Sequence, residues 1–187
     1  KPRVLLGHER FGYNDPFLNP EEDRLYFISN QPREPGGEPT DIDIWYSERV
    51  PTGWSEPINA GSAINSSKNE YYISFSEDGA MYFASNTAAE EGREHDFDIY
   101  KSELRGGVFQ PPERLPETVN SRGYEADVFV SPDESYLIFS AARREGLGKG
   151  DLYISFKGSD GSWGEARNMG GVINSENHEL CPFVTRD

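Results

Sequence analysis

A single cysteine in 187 residues, Cys181, leaves no partner for an intrachain disulfide and no CxxC knuckle to hold a metal. Methionine is nearly as scarce, with two. No apolar run comes near the roughly 18 residues that a membrane-spanning helix requires. Positive charge is in the minority: 18 Lys and Arg stand against 33 Asp and Glu, a formal net charge of −15. So acidic a surface offers no basic stripe to nucleic acid or to an anionic membrane, which argues against nucleic acid and against membrane insertion. It suits a soluble protein, or one that meets cations or basic partners. The sequence starts at Lys1 rather than at methionine, which reads as a processed or trimmed product with no signal peptide left to inspect.

Aromatics, glycine and proline are plentiful: 10 Tyr, 11 Phe, 3 Trp, 19 Gly and 13 Pro. That is the profile of short strands parted by many turns. The length allows one domain that buries about 70% of its unfolded surface.

One pattern recurs three times, about 55 residues apart. Ile64-Asn65-Ser66 returns as Val119-Asn120-Ser121 and Ile173-Asn174-Ser175. Ahead of it stand an aromatic (Trp54, Phe109, Trp163) and, earlier, an aspartate dipeptide (Asp43-Ile44, Asp98-Ile99, Asp151-Leu152). Behind it comes a glutamate (Glu70, Glu125, Glu179). A fixed period of this length denotes stacked or ring-arranged copies of one supersecondary unit. Any residue proposed as a functional site must therefore break the repeat before it counts as more than architecture.

Each copy divides into four strand-like pieces. A first run (Pro16–Asn19, Ile73–Ser76, Val128–Ser131, and a fourth at Pro182–Thr185) enters a turn of Pro20–Asp23, Glu77–Gly79 or Pro132–Glu134. Unbroken apolar second strands follow (Leu25–Ser29, Met81–Ser85, Tyr136–Ser140), too short for helices and rich in β formers. Polar loops at 30–41, 86–96 and 141–150 differ most between copies. The third strands begin at Asp43, Asp98 and Asp151, and a fourth, outer strand is expected to carry Trp54, Phe109 or Trp163. Four antiparallel strands per copy make the blade of a β-propeller, and no stretch has helical periodicity.

The pattern resembles the WD40-like β-propeller repeat family of bacterial proteins, the TolB-like group. The third copy carries the resemblance most fully, with Glu125, Ser131-Pro132-Asp133, Ile138-Phe139-Ser140 and Asp151-Leu152-Tyr153. Gly161-Ser162-Trp163-Gly164-Glu165, Asn168 and Ile173-Asn174-Ser175 fit as well. The first copy departs with Asn19-Pro20-Glu21-Glu22, and the second has Glu77 where proline is usual. The resemblance implies an all-β propeller and, because such repeats are common in envelope proteins, a periplasmic, secreted or cell-envelope location.

Blades are expected near residues 13–69, 70–124 and 125–178, with a leading strand within 1–12 and a further blade beginning at 179–187. Propellers close with about four to eight blades. Three blades and partial flanks read as an incomplete ring, one that further sequence or self-association would complete.

Several clusters carry candidate chemistry. Glu70, Glu125 and Glu179 are placed at the mouth of the propeller channel, where a carboxylate ring could take a metal or a basic ligand; their repetition favours a shared structural bond instead. The doubled Asp41/Asp43 and Asp96/Asp98 could suit a structural calcium ion, but the third copy has Gly150, and capping of local backbone N–H groups is the better reading. Glu94-His95-Asp96 with Asp98 is the densest imidazole and carboxylate group, a weak metal candidate on a loop. His178-Glu179 lacks the second histidine of a zincin, since Pro182 stands there. Cys181 is read as a buried structural residue of an innermost strand. Asn14-Asp15-Pro16 is the strongest enzymatic feature, because an Asp of this kind serves as base or nucleophile in some propeller glycosidases. Yet Asp15 occupies the repeat position of Tyr72, Asp127 and Cys181.

The leading expectation is thus a non-catalytic binding or scaffold module with no cofactor. It would take a protein, small-molecule or carbohydrate ligand at the channel mouth, where Tyr13, Asn14, Asp15, Glu70, Tyr71, Tyr124, Glu125, His178 and Glu179 gather. The alternative is a carbohydrate-active hydrolase or lyase that uses channel-mouth carboxylates such as Asp15, or a peptidase accessory propeller.

Overall fold

The computed structural model describes residues 5–185. All of its regular structure is β, and every strand pairing is antiparallel. The first sheet contains β1 (Tyr13–Leu18), β2 (Arg24–Ser29), β3 (Asp43–Val50), β4 (Gly53–Trp54) and β5 (Ile58–Asn59). The second contains β6 (Glu70–Phe75), β7 (Met81–Ser85) and β8 (Asp98–Ser102). A small hairpin of β9 (Leu104–Arg105) and β10 (Val108–Phe109) follows, and β11 (Glu113–Arg114) then returns to pair with β8. The third is β12 (Glu125–Val130), β13 (Tyr136–Ala141), β14 (Asp151–Phe156) and β15 (Arg167–Asn168).

The continuous apolar character of the second strands has a direct cause. Along β7, Met81 and Phe83 pack with Tyr26, Ile28, Ile44 and Phe75 at the junction with the first sheet. Tyr82 between them faces the other way, into a core with Val128, Leu137, Phe139, Tyr153 and Trp163 of the third sheet. With both faces covered, alternation of polar and apolar residues disappears. The innermost strands lie side by side, β6 packing against both β1 and β12.

The repeated triplet is explained by hydrogen bonding. Asn65 Oδ1 accepts from Ile44 N, and Asn65 Nδ2 donates to Ile44 O. Asn120 holds Ile99 in the same way, and Asn174 holds Leu152. The side-chain amide substitutes for a neighbouring peptide group, so the third strand gains a pairing without a further strand. Successive sheets are then tied by backbone bonds: Glu70 N donates to Ile42 O, Glu125 N to Phe97 O, and Glu179 N to Gly150 O.

Several expectations need correction. The innermost strands begin at Tyr13, Glu70 and Glu125, three residues earlier than the apolar runs suggest, because each contains a bulge. Glu70 and Glu125 are the first residues of β6 and β12 rather than the residues before them, and Glu179 lies in no strand. Trp54, Phe109 and Trp163 do not ride on the outer strand. They sit in hairpin extensions of the third strand, Trp54 opposite Arg49, Phe109 opposite Leu104 and Trp163 bridged to Lys157. The outer strands come later and are two residues long. In the first two copies they follow Pro57 and Pro111-Pro112, which lack the N–H needed for a continuous ladder.

Of the expected leading strand, Arg3 and Val4 lie outside the described residues, and Leu5 and Leu6 form a bend. Residues 179–185 form no strand. Cys181 is accordingly exposed, not buried.

Candidate functional site

The bulge on each innermost strand comes from one residue held at positive φ. The four equivalent positions are Asp15 (50°), Tyr72 (55°), Asp127 (52°) and Cys181 (52°). None is glycine, and a left-handed backbone is uncommon for tyrosine and cysteine in particular. The register slips on both sides of this residue in β1, β6 and β12. The side chain is thereby re-aimed out of the strand's normal alternation. All four residues line one cavity of about 300 Å³, together with Phe17, Ile73, Val128 and Phe183.

Burial dominates the electrostatics of this cavity. Asp15 is pushed above the usual carboxylate range by desolvation. Asp127, 2% exposed, is also raised by burial, with a further contribution from the charge of Asp15. Hydrogen bonds from the Cys181 N–H and Sγ to Asp127 Oδ1, both 3.2 Å, oppose that rise. Burial and the neighbouring Asp127 carboxylate push the Cys181 thiol up to about 12, so it carries almost no thiolate near neutrality. Burial, with Asp127 next in importance, raises the Tyr72 phenol to about 12.

A second depression, about 350 Å³, adjoins the first through Tyr72, which lines both. Its walls are Tyr71, Phe97 and Tyr124, with Asn69, Glu94 and His95 at the edge. Tyr71 and Phe97 meet edge-on at 5.2 Å, and Phe97 and Tyr124 at 6.0 Å.

The residues expected at the channel mouth do not form one group. Tyr71 and Tyr124 line the aromatic depression, and Asp15 lines the adjoining cavity. Tyr13 and Asn14 open onto a separate pocket beside Leu5 and Leu6, with the Tyr13 hydroxyl bonded to Gln31. Glu70 and Glu125 are turned inward, 1% and 0% exposed. Glu70 accepts from Ser66 N, Ser66 Oγ and Ser85 Oγ. Glu125 accepts from Ser121 N and Oγ and from Arg143. Glu179 accepts from Ser175 Oγ in the matching way. These carboxylates clamp the chain crossing between sheets and present no free ring to a ligand. His178 is exposed and bridges to Gly150, apart from both cavities.

The metal candidates are also dispersed. Asp98 is held by both nitrogens of Arg114 at 2.7 Å, Asp96 pairs with Arg93, and His95 is exposed beside Tyr71. Among the described residues no group of three or more His, Cys, Asp and Glu is placed to hold a metal ion. Capping of loop N–H groups by the repeated aspartate holds only in the third copy, where Asp151 accepts from Leu147 N and Gly148 N. Asp43 is instead forked by Arg33, as Asp98 is by Arg114. Those arginines occupy different places in their copies, so alignment of the repeats gives no sign of them.

Sequence reasoning missed Tyr72, Asp127 and Cys181 as members of one site. The signal was their shared place in the repeat, filled in turn by Asp, Tyr, Asp and Cys.

No family model matches this chain, and no curated protein matches it. Solved structures do. TolB from Acinetobacter baumannii overlaps 89% of this chain with a TM-score of 0.57 at 14% identity. A TolB structure from Agrobacterium tumefaciens overlaps 86% at 17% identity with a TM-score of 0.45, and a prolyl endopeptidase overlaps 90% at 12% identity with 0.49; neither bears on the argument. The chain spans about a third (34%) of the Acinetobacter structure and 62% of the Agrobacterium one. At these identities the likeness concerns the fold alone: this is an all-β chain with the TolB-like propeller fold.

Proposed function

We propose that the chain is a non-catalytic binding module of an exported propeller, taking its ligand where Tyr71, Tyr72, Phe97 and Tyr124 open onto the cavity of Asp15 and Asp127. One observation carries this reading. At the left-handed position the strained backbone recurs in every copy while the side chain changes. Such strain costs on the order of 1 kcal/mol or more per residue and concentrates at functional sites. Asn65, Asn120 and Asn174 show the opposite behaviour, with the same residue and the same bonds each time.

The test is protein-observed NMR against N-acetyl amino-acid amides and simple mono- and disaccharides. The expected perturbations centre on Tyr72 and Tyr124 and weaken at least tenfold in Tyr72→Ala and Tyr124→Ala. Shifts confined to loops 30–41 and 141–150, unchanged by either substitution, would reject the site.

A second reading, a glycoside hydrolase or lyase using Asp15, gains one specific support: a second carboxylate, Asp127, lines the same cavity. Turnover of aryl glycosides that is abolished by Asp15→Asn would establish it over the binding reading.

We also propose that the three sheets are part of a ring, which self-association can complete. Phe183 and Val184 remain 67% and 40% exposed beside the innermost strands. Sedimentation over a hundredfold concentration range should show a dimer, and a monomer throughout would overturn this.

A further inference from the structure

A buried carboxylate with one oxygen short of a well-aligned donor lines the cavity of Asp15, Tyr72 and Cys181. Asp127 Oδ1 is occupied by Cys181, but Asp127 Oδ2 is buried without a hydrogen-bond partner. Burial first and then the Asp127 charge hold the Tyr124 proton more tightly, and the phenol bonds to the Asp127 carboxylate without a well-aligned contact to Oδ2. A buried carboxylate oxygen left unpaired is unfavourable, and native proteins rarely leave one so unless a ligand or ion answers it. Asp15 lines the same cavity and is felt by Asp127, and among the described residues no lysine or arginine lines it. The remaining walls are aromatic and aliphatic: Phe17, Tyr72, Phe183, Ile73 and Val128.

These surroundings specify the missing group. Two carboxylates with no counter-ion among the described residues call for positive charge, and aromatic faces favour a cation over a neutral donor. A guanidinium would seek both oxygens of one carboxylate, but Oδ1 is already taken, so a point-like donor fits better than a fork. We propose that this cavity binds a primary ammonium group carried on a slim apolar stem, with Asp127 and Asp15 receiving the charge and Tyr72 flanking it. The inference rests on the binding reading given above and names its ligand chemistry, which a peptide lysine and a free alkylamine share.

The experiment is calorimetric titration of the whole chain with N-acetyl-lysine methylamide, n-butylamine and the neutral isostere N-acetyl-norleucine methylamide. Both amines should bind, and the norleucine compound at least tenfold more weakly. Asp127→Asn should reduce amine affinity tenfold or more, and Asp15→Asn by a smaller factor, both with unchanged circular dichroism. Tighter binding of the lysine amide than of butylamine points to a peptide source, and the reverse to a free amine. Equal affinity for lysine and norleucine compounds overturns the proposal, as does full amine affinity in Asp127→Asn. Displacement of the amine by calcium chloride with greater affinity also overturns it, in favour of a divalent cation. Should Asp127→Asn not fold, the norleucine comparison and Asp15→Asn decide. If a saccharide perturbs Tyr72 and Tyr124 while no amine binds, the ammonium inference fails alone; if nothing perturbs the cavity, the binding site fails with it.

Discussion

Asn65 grips Ile44 by both of its backbone groups, accepting from the N–H at 2.8 Å and donating to the carbonyl at 2.9 Å. The counterpart Asn120 is wholly buried and donates additionally to Leu115 O. It thereby ties the segment after β11 to β8.

Asn120→Ala should therefore be costly. It strands the N–H of Ile99 and the carbonyl of Leu115 in a buried setting, while the Ile99 carbonyl keeps its bond from Leu115 N. A loss of about 3 kcal/mol is expected, since each unsatisfied buried group costs about 1–3 kcal/mol and local relaxation recovers part of it. Urea unfolding measures this through a lowered midpoint at constant m-value. A change below 0.5 kcal/mol, on the same order-of-magnitude scale, would mean that the amide is dispensable.

Glu70 makes stability pH-dependent. Burial raises its carboxyl to about 7, against opposing hydrogen bonds from Ser66 and Ser85 and with a contribution from the Asp43 charge. The folded state then binds more protons than the unfolded state between about pH 4.5 and pH 7. Its stabilising effect is complete below the unfolded value and lost as pH rises through the folded one. Relative to Glu70→Gln, the wild-type chain should lose stability on going from pH 5 to pH 8, by up to about 3 kcal/mol. Parallel stability curves for the two proteins over that range would refute it.

Cys181 should react slowly for an exposed thiol. Its thiol is pushed up to about 12 by burial and then by Asp127. Iodoacetamide at pH 8 should label it at least tenfold more slowly than free cysteine, because only the thiolate attacks. Asp127→Asn removes the neighbouring charge and lowers the thiol pKa, so labelling should accelerate. An unaltered or slower rate in that variant would show that the carboxylate has no hold on the thiol.

Gly148 is constrained by space rather than by φ. A Cβ there would meet the carbonyl oxygens of Ser175 and Asn177 at 2.4 Å, inside van der Waals contact and against backbone. Lys149 N is bonded to the same Asn177 carbonyl, so loop 141–150 cannot simply swing away. Gly148→Ala should cost about 2 kcal/mol, typical of overpacking. Thermal unfolding of this variant beside Gly146→Ala, whose nearest contact is a looser 3.0 Å, checks the size of the effect.

The buried second strands were readable because double-sided burial erases polar alternation, as Met81, Tyr82 and Phe83 show. The structural character of the repeated Asn and Glu was readable for a similar reason: identical residues at a fixed period answer identical backbone needs. The outer strands were misplaced because a large aromatic such as Trp54 looks like a strand residue wherever it packs. The proline that halts the ladder after it was the better signal.

What the sequence determined by itself is the repeat unit and its antiparallel strands, since both rest on short-range periodicity and turn chemistry; the TolB-like expectation came from the resemblance of its motifs. What only the tertiary structure decided is which repeated positions face the axis. Asp15, Tyr72, Asp127 and Cys181 lie more than 50 residues apart, and only the two aspartates share a residue type. Their meeting depends on a left-handed backbone position that all four residues adopt without glycine or asparagine to announce it, and on sheets packed so that the innermost strands converge.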